Sequence, residues 1–340
     1  MSGAPLRLPA VMSHPVRVAL RRTLDVVAAP LTVAASFWLR FLRAEGVQHL
    51  PVSRRVFDAV GVLPIRRHYY EPQFHPADLA GSLRADRSLP GVELNVAGQL
   101  ALLAAFAPHP ELAELPDAPP ADGGRRTFHV DNHFFDAGDA DYLYHVVRHF
   151  APRRFVEIGS GMSTLLVQQA IADARRADPS YRCRHLCIEP YENPWLAELD
   201  VELVRERVEA MPLAPFEALA AGDVLFIDSS HVIRPQGDVV TEYLEILPRL
   251  AAGVLVHVHD IFTPRDYPDA WVRDEVRLWN EQYLVEAFLS HNARFEILGA
   301  LNYLSHHHPA AFDAACPLYA RRRGTALEPR SLWLRVRDGR

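Results

Sequence analysis

The segment RRFVEIGSGMSTLLVQQA, Arg153 to Ala170, decides the fold. A short apolar strand, RFVEIG, ends at two glycines one residue apart and an amphipathic run follows at once, so the stretch reads as strand, tight turn and helix. Outward from it the alternation continues. The helix DADYLYHVVRHF precedes it, and strands RHLCIEP, VELVRE, DVLFID and GVLVHVHD follow, separated by helices PWLAEL, APFEALA and DVVTEYLEILPRL. A long helix from Asp274 to about His291 and strands RFEILGALNYL and SLWLRVR complete the series. Short apolar strands alternating with amphipathic helices predict an α/β domain whose mostly parallel sheet is covered on both faces.

Ahead of this domain the pattern changes. Residues 1 to 75 read as helices followed by GVLPIRRHYYEPQF, and VAGQLALLAAFA is one further helical piece. The proline-rich stretch PHPELAELPDAPPADGG ends in Gly123 and Gly124 and reads as a linker. The expected division is therefore a mainly helical extension over residues 1–125 and the α/β domain over 126–340.

With 49% hydrophobic and 23% charged residues the chain of 340 can bury a substantial core. A net charge of -6 gives no basic field for nucleic acid. Three cysteines, Cys183, Cys187 and Cys316, are too few and too odd for a disulfide framework, and a reducing cytoplasm is the expected compartment. All 36 basic residues are arginine, which excludes lysine-dependent phosphate loops, Schiff bases and lysine general bases. The most apolar run, Val26 to Leu39, spans only about 21 Å as a helix, short of a bilayer core. A helix packed on the body of the protein is expected there; peripheral membrane contact through residues 24–42 and a cleaved signal are the alternatives.

The turn itself narrows the ligand. Gly159 and Gly161 let backbone approach a ligand closely, and Ser163 or Thr164 can cap the following helix. A dinucleotide fingerprint needs a third glycine where this chain has Thr164. Glu157, beside the turn, would repel a pyrophosphate but accept hydrogen bonds from a cationic amino-acid ligand. Glu189, ending the second strand, is placed for the two hydroxyls of a ribose. A ligand with an ammonium, a sulfonium and a ribose, S-adenosylmethionine, fits that pair of carboxylates.

Taken in order, FVEIGSGMST, LCIEP, DVLFIDSSHV, EILPRLAAGVLVHVHDIFTPRDYPDAW and SLWLRV resemble a class I S-adenosylmethionine-dependent methyltransferase of the methyltransferase type 24 group. LPIRRHYYEPQF and FHVDNHFFDAGDADYLYHVVRHF are similar to the extension that bacterial members carry ahead of the fold. The resemblance implies a Rossmann-like sheet of seven strands with the last strand antiparallel, inserted between the fifth and sixth. It assigns Glu157, Gly159 and Gly161 to the methionine end of the cofactor, Glu189 to the ribose and Glu209 to the neighbourhood of the adenine; Ser160, Ser163 and Asp228 are further candidate cofactor-binding residues.

Asp228, His231, His257, His259 and Asp260 fall at the carboxyl ends of the fourth and fifth strands, which are neighbours at ~4.8 Å if adjacent in the sheet. Asp228, His231, His259 and Asp260 are the candidate catalytic groups; His257, deeper in its strand, reads as structural. A general base among them could take a proton from an acceptor hydroxyl. A divalent ion, magnesium or manganese, is the alternative by resemblance to catechol O-methyltransferase-like enzymes, although Ile261 stands where those carry an asparagine ligand. No metal ligand set is assigned.

DIFTPRDYPDAW, with Tyr267 and Trp271, reads as a lid over the acceptor or as a packed loop. Tyr69, Tyr70, Asn132, Phe134 and Phe135 are candidates for an acceptor wall, and SHHH at Ser305 to His308 reads as a solvated loop. The expected activity is O-methylation of a sugar or natural-product hydroxyl, with a small-molecule or glycan acceptor. An NAD-dependent oxidoreductase and a non-catalytic S-adenosylmethionine-binding relative are the competing readings.

Overall fold

The computed structural model describes residues 14–67, 74, 78–120, 126–191, 193–324 and 328–338. The chain divides into two compact units, Met1–Ala80 and Gly81–Arg340.

In the first unit, helix α1 (His14–Glu45) and helix α2 (Pro51–Val60) are joined by a 3-10 turn at Val47–His49. Pro51 opens α2, where its missing N–H costs nothing, and Gly61 closes it at φ 76 with its N–H on the Phe57 carbonyl at 2.8 Å. Leu42, Val47 and Phe57 form a small buried cluster. The sequence expectation of a short, packed helix does not hold: α1 runs well beyond both ends of the apolar run, and Val26, Val27, Leu31 and Phe37 are exposed. Among the described residues, Val18–Glu45 is the one helix long and apolar enough to cross a membrane.

The second unit begins 45 residues earlier than the boundary read from the sequence at residue 125, because α3 (Val96–Ala105) packs against the sheet and belongs to it. It continues with α4 (Pro110–Ala113) and α5 (Asp139–Phe150). Then come β1 (Arg154–Ile158), α6 (Met162–Ala177), β2 (Arg184–Ile188), β3 (Glu202–Val204), α7 (Ala214–Glu217) and β4 (Val224–Ile227). The series ends with α8 (Asp238–Thr241), β5 (Leu255–Val258), α9 (Glu281–Leu289), β6 (Phe295–Ala300), α10 (Leu301–His307), α11 (Pro309–Ala315), α12 (Pro317–Arg321) and β7 (Leu332–Val336).

The seven strands form one sheet in the order β3-β2-β1-β4-β5-β7-β6. Neighbours are parallel from β3 to β5, whereas β7 is antiparallel to both β5 and β6, as the resemblance implied. Every residue of β4 and β5 is buried, so both faces must be covered, and two separate apolar layers cover them. Side-chain alternation sorts the strands cleanly. Val156, Ile158, Leu225, Ile227, Val256 and Val258 enter one layer, and Phe155, Val224, Phe226 and Leu255 the other. Each such fully buried side chain contributes about 1.5–3 kcal/mol.

Some elements differ from the sequence reading. The long helix expected from Asp274 is instead a π-turn at Ala270–Asp274, an irregular stretch and then α9. RFEILGALNYL is strand only to Ala300, after which α10 begins, and SHHH ends that helix: His307 stacks on Tyr303 at 4.5 Å and its Nε2 lies 2.6 Å from Asp86.

Candidate functional site

The sheet order reverses between β1 and β4, and the turns at their carboxyl ends carry the glycines and carboxylates singled out above. Gly159 has φ +77, and a Cβ built on it would lie 1.8 Å from the Asp228 carbonyl oxygen. Only glycine lets the first turn lie against the end of β4. Gly161 is different, since its φ of -173 is open to any residue and the nearest atom to a Cβ is Asn193 Nδ2 at 3.3 Å. Backbone strain therefore argues for glycine at 159 and not at 161.

Glu157 lies beneath this turn. It is fully buried and accepts hydrogen bonds from Ser163 Oγ at 2.6 Å and Thr164 Oγ1 at 2.8 Å, with His185 Nε2 at 3.0 Å. Thr164 Oγ1 in turn accepts the Gly161 N–H at 3.0 Å. The carboxylate expected to meet the ligand's ammonium thus spends its oxygens on the first turn of α6, and its effect on a ligand is to fix the shape of the loop. Thr164, which breaks the dinucleotide pattern, is what couples Glu157 to that loop.

Two clefts open above the turn. One, of about 360 Å³, runs from Gly159 past Glu189 to Arg207, Val208 and Glu209. The other, of about 270 Å³, lies over Ser160, Gly161 and Ser163 and is walled by Asn193, Trp195 and Phe134. Gly159, Glu189 and Asp228 belong to both, so the clefts adjoin at these residues. Glu189 accepts the Tyr191 N–H at 2.8 Å and, more weakly, the Ser160 N–H at 3.4 Å, which pins its carboxylate between the clefts. Glu209 stands at the far end with Arg207 Nη1 3.4 Å from its Oε1. Glu189→Ala is expected to weaken S-adenosylhomocysteine binding by about 1.5–3 kcal/mol, the range for hydrogen bonds to a charged group; unchanged affinity in calorimetry on the folded variant would remove Glu189 from the ribose.

Beyond Asp228 a buried charge cluster begins. His231 Nε2 is 3.3 Å from Asp228 Oδ1 and 3.4 Å from Asp260 Oδ2, and its Nδ1 is 2.9 Å from Glu281 Oε2. Burial alone would push the His231 pKa down, but the hydrogen bonds to Asp228 and Glu281 and the charge of Asp260 outweigh it and hold the pKa well above its ordinary value. Burial pushes the Asp260 carboxyl up, against the Arg330 guanidinium, whose Nε is 2.7 Å from Oδ1. His231 (φ 59) and Asp260 (φ 57) both hold left-handed backbone, at a cost of about 1–3 kcal/mol each, so the surrounding contacts over-determine them.

His259 is set apart from the clefts. Its ring is buried, with Nε2 on Arg330 Nε at 3.3 Å and Nδ1 near Ser331 Oγ at 3.4 Å, and burial holds it neutral, well below its usual pKa. His257 stacks on Phe226 at 3.9 Å and bonds Ser331 Oγ at 2.8 Å. Asn132 spends its amide on the loop that holds Phe134 and Phe135, and Tyr69 and Tyr70 lie outside the described residues. Phe134 is exposed at the second cleft, whereas Phe135 is buried. Tyr267 is packed, its hydroxyl oxygen accepting the Gln282 N–H at 3.1 Å, while Trp271 and Trp279 clasp Arg277 at 4.2 and 4.7 Å.

Local sequence patterns missed Glu281, Arg330, Asp238 and Asn193. Asp238 holds the loop after β4 through Ser230 N and Oγ, and Asp139 takes the backbone N–H groups of Arg330 and Ser331, so Arg330 is delivered to Asp260 from the far side of the chain.

A family model described as a methyltransferase domain matches residues 156–261. A protein of Archaeoglobus fulgidus, described as uncharacterized, is 28% identical over 142 residues, which is 40% of this chain and 62% of that protein. The chain thus spans about three-fifths of the length of that curated relative. The structure of an O-methyltransferase from Bacillus cereus in complex with SAH aligns with 71% of this chain and 97% of that one, at 13% identity and a TM-score of 0.33. The family match runs from within β1 to just past the end of β5 and takes in the glycine turn, and the sheet around it has the strand order of the class I S-adenosylmethionine-dependent methyltransferase fold.

Proposed function

We propose that the protein is an O-methyltransferase that uses S-adenosylmethionine to methylate a hydroxyl of a sugar or natural-product scaffold. The observation that carries this reading is the pair of clefts meeting at Gly159, Glu189 and Asp228, with the buried His231 cluster directly behind Asp228. Two clefts that adjoin at a shared floor suit a ligand with a nucleoside at one end and an amino acid at the other. The close approach of Gly159 to the end of β4, which a Cβ would block, holds in place the floor shared by both clefts, and the carboxylates on that floor fit the cofactor.

S-adenosylmethionine, when bound, supplies the electrophilic methyl group. Glu189 and Glu209 would hold its nucleoside end, and Ser160 to Ser163 with Asp228 its amino-acid end. In-line transfer is served mainly by positioning, and Phe134 offers flat surface beside the turn. Asp228 is the member of the charge cluster that faces both clefts. The acceptor hydroxyl therefore meets Asp228, and its proton passes toward His231 Nε2, which Glu281 orients from behind.

A divalent ion is the competing device, since one donor atom each of Asp228, His231 and Asp260 lies within 4.8 Å of the others. The Arg330 guanidinium, with Nε 2.7 Å from Asp260 Oδ1, already supplies a cation to that carboxylate, which favours the base over an ion. Turnover with methyl-labelled S-adenosylmethionine and a panel of hydroxyl acceptors should survive a chelator. It should rise with pH, because His231 accepts a proton only above its raised pKa. Glu281→Gln removes one of the carboxylates that raise it, so the rise should move to lower pH. A loss to chelator restored by magnesium or manganese, or a pH profile that Glu281→Gln leaves in place, would overturn the base.

A further inference from the structure

The first unit holds a second constellation, far in sequence from the methyltransferase site. Along α1, Val26, Val27, Leu31, Val33, Phe37 and Trp38 are all exposed, and at about 100° per residue they share one broad side of the helix, with Asp25, Thr32 and Ser36 on the other. An exposed apolar face this broad, on a helix long and apolar enough to cross a membrane, is stable against hydrocarbon and unfavourable in water. Charge brackets it. Arg21 and Arg22 stand at one end and Arg40 and Arg43 at the other. From Arg22 to Arg40 the helix rises about 27 Å, close to the ~30 Å of a bilayer core, so guanidinium groups at both ends reach headgroup level. Asp25 lies one turn from Arg21 and Arg22. Trp38, stacked on Phe41 at 5.5 Å, sits beside Arg40, where an aromatic interfacial belt would lie.

At that same end is a cavity of about 540 Å³. Ser36, Leu39, Arg40 and Arg43 of α1 line one side, and Pro64, Ile65, Arg66 and Arg67 the other. Its lining thus holds four guanidinium groups and no carboxylate, together with the apolar side chains of Leu39 and Ile65. Arg67 is held by Asp78 from outside the lining, and Arg43 and Arg66 have partners of their own. The exposed Val52, Val56 and Val60 of α2, spaced by four, give that helix an apolar stripe of its own. Arginine is the side chain best matched to phosphate oxygens, through its planar fork of donors.

We propose that α1 seats the first unit in a lipid bilayer and that the arginine cavity at its Arg40 end binds the phosphate of an anionic lipid headgroup, with Leu39 and Ile65 against the acyl chains. The apolar helix, the arginine spacing and the cavity at one level of the helix are three separate observations that agree on this occupant.

The test is flotation of the full chain with phosphatidylcholine vesicles, with and without phosphatidylglycerol. Wild type should float with both and partition at least ~10-fold more strongly onto the anionic vesicles. Arg40→Gln with Arg66→Gln should erase that preference while leaving binding to phosphatidylcholine, and Val27→Asp with Val33→Asp should abolish flotation on either. Unchanged S-adenosylhomocysteine binding in each variant shows that the methyltransferase unit is folded. Wild type that stays with the soluble fraction, as a self-associated species or otherwise, overturns the membrane seat. Equal partition onto both vesicle kinds, or an intact preference in the double arginine variant, overturns the headgroup site. In detergent, a short-chain phosphatidylglycerol should bind more tightly than inorganic phosphate; equal binding of inorganic phosphate would assign the cavity to free phosphate instead.

Discussion

Gly159→Ala is expected to abolish S-adenosylhomocysteine binding, with a loss of at least ~100-fold. An alanine Cβ at this position would stand 1.8 Å from the Asp228 carbonyl oxygen, and the residue would keep a left-handed φ of +77. Neither atom can yield cheaply, because Asp228 N donates to Ile158 O at 2.9 Å and Gly159 N to Ile188 O at 3.0 Å, which ties both to the sheet. The turn must lift away from β4, opening the floor shared by both clefts. Gly161→Ala is the matched control, since its Cβ meets only Asn193 Nδ2 at 3.3 Å and its backbone needs no left-handed φ. It should keep affinity within about tenfold. Calorimetry beside circular dichroism decides the matter: a folded Gly159→Ala protein that binds as wild type would place the ligand elsewhere.

His231→Gln should reduce turnover at least ~100-fold, the low end for a general base, and change S-adenosylhomocysteine affinity little. The imidazole is bracketed by Asp228, Asp260 and Glu281, and glutamine preserves its polarity and much of its volume without offering a base. His259→Ala should cost less, because His259 is buried against Arg330 and Ser331 and lines neither cleft. Its effect would pass through Arg330, as a positioning residue for Asp260. If His231→Gln turned over at the wild-type rate while Asp228→Asn did not, the proton would go to Asp228 alone.

The fold was legible because its signals are local. A strand such as RFVEI, two glycines and a helix starting at Met162 all lie within one short stretch, and the order of such stretches carries the topology. Glu189 and Asp228 were legible for the same reason, as residues at strand ends, whereas Glu209, in a 3-10 turn beyond β3, was given only by the resemblance. Glu157 was legible as a residue but not in its role, because only the folded turn shows Ser163, Thr164 and His185 converging on it. Glu281 and Arg330 could not be read at all: Glu281 is 50 residues from His231 and Arg330 is 71 from His259, and each arrives through the packing of separate elements. The helix expected from Asp274 failed through a tertiary contact. The His231 carbonyl accepts the Asn280 and Glu281 N–H groups at 3.0 and 3.2 Å, which sets the start of α9, and Arg277 is drawn between Trp271 and Trp279.

The most direct test is calorimetric titration of the full chain with S-adenosylhomocysteine and, in parallel, with NAD. Glu189, Glu209 and Asp228 line the two adjoining clefts proposed to take the cofactor, and Thr164, bound to Glu157, fills the position where a pyrophosphate-binding turn needs its third glycine. Saturable heat with S-adenosylhomocysteine, lost in Glu189→Ala, and none with NAD is the expected result. Saturable binding of NAD with none for S-adenosylhomocysteine would contradict the account.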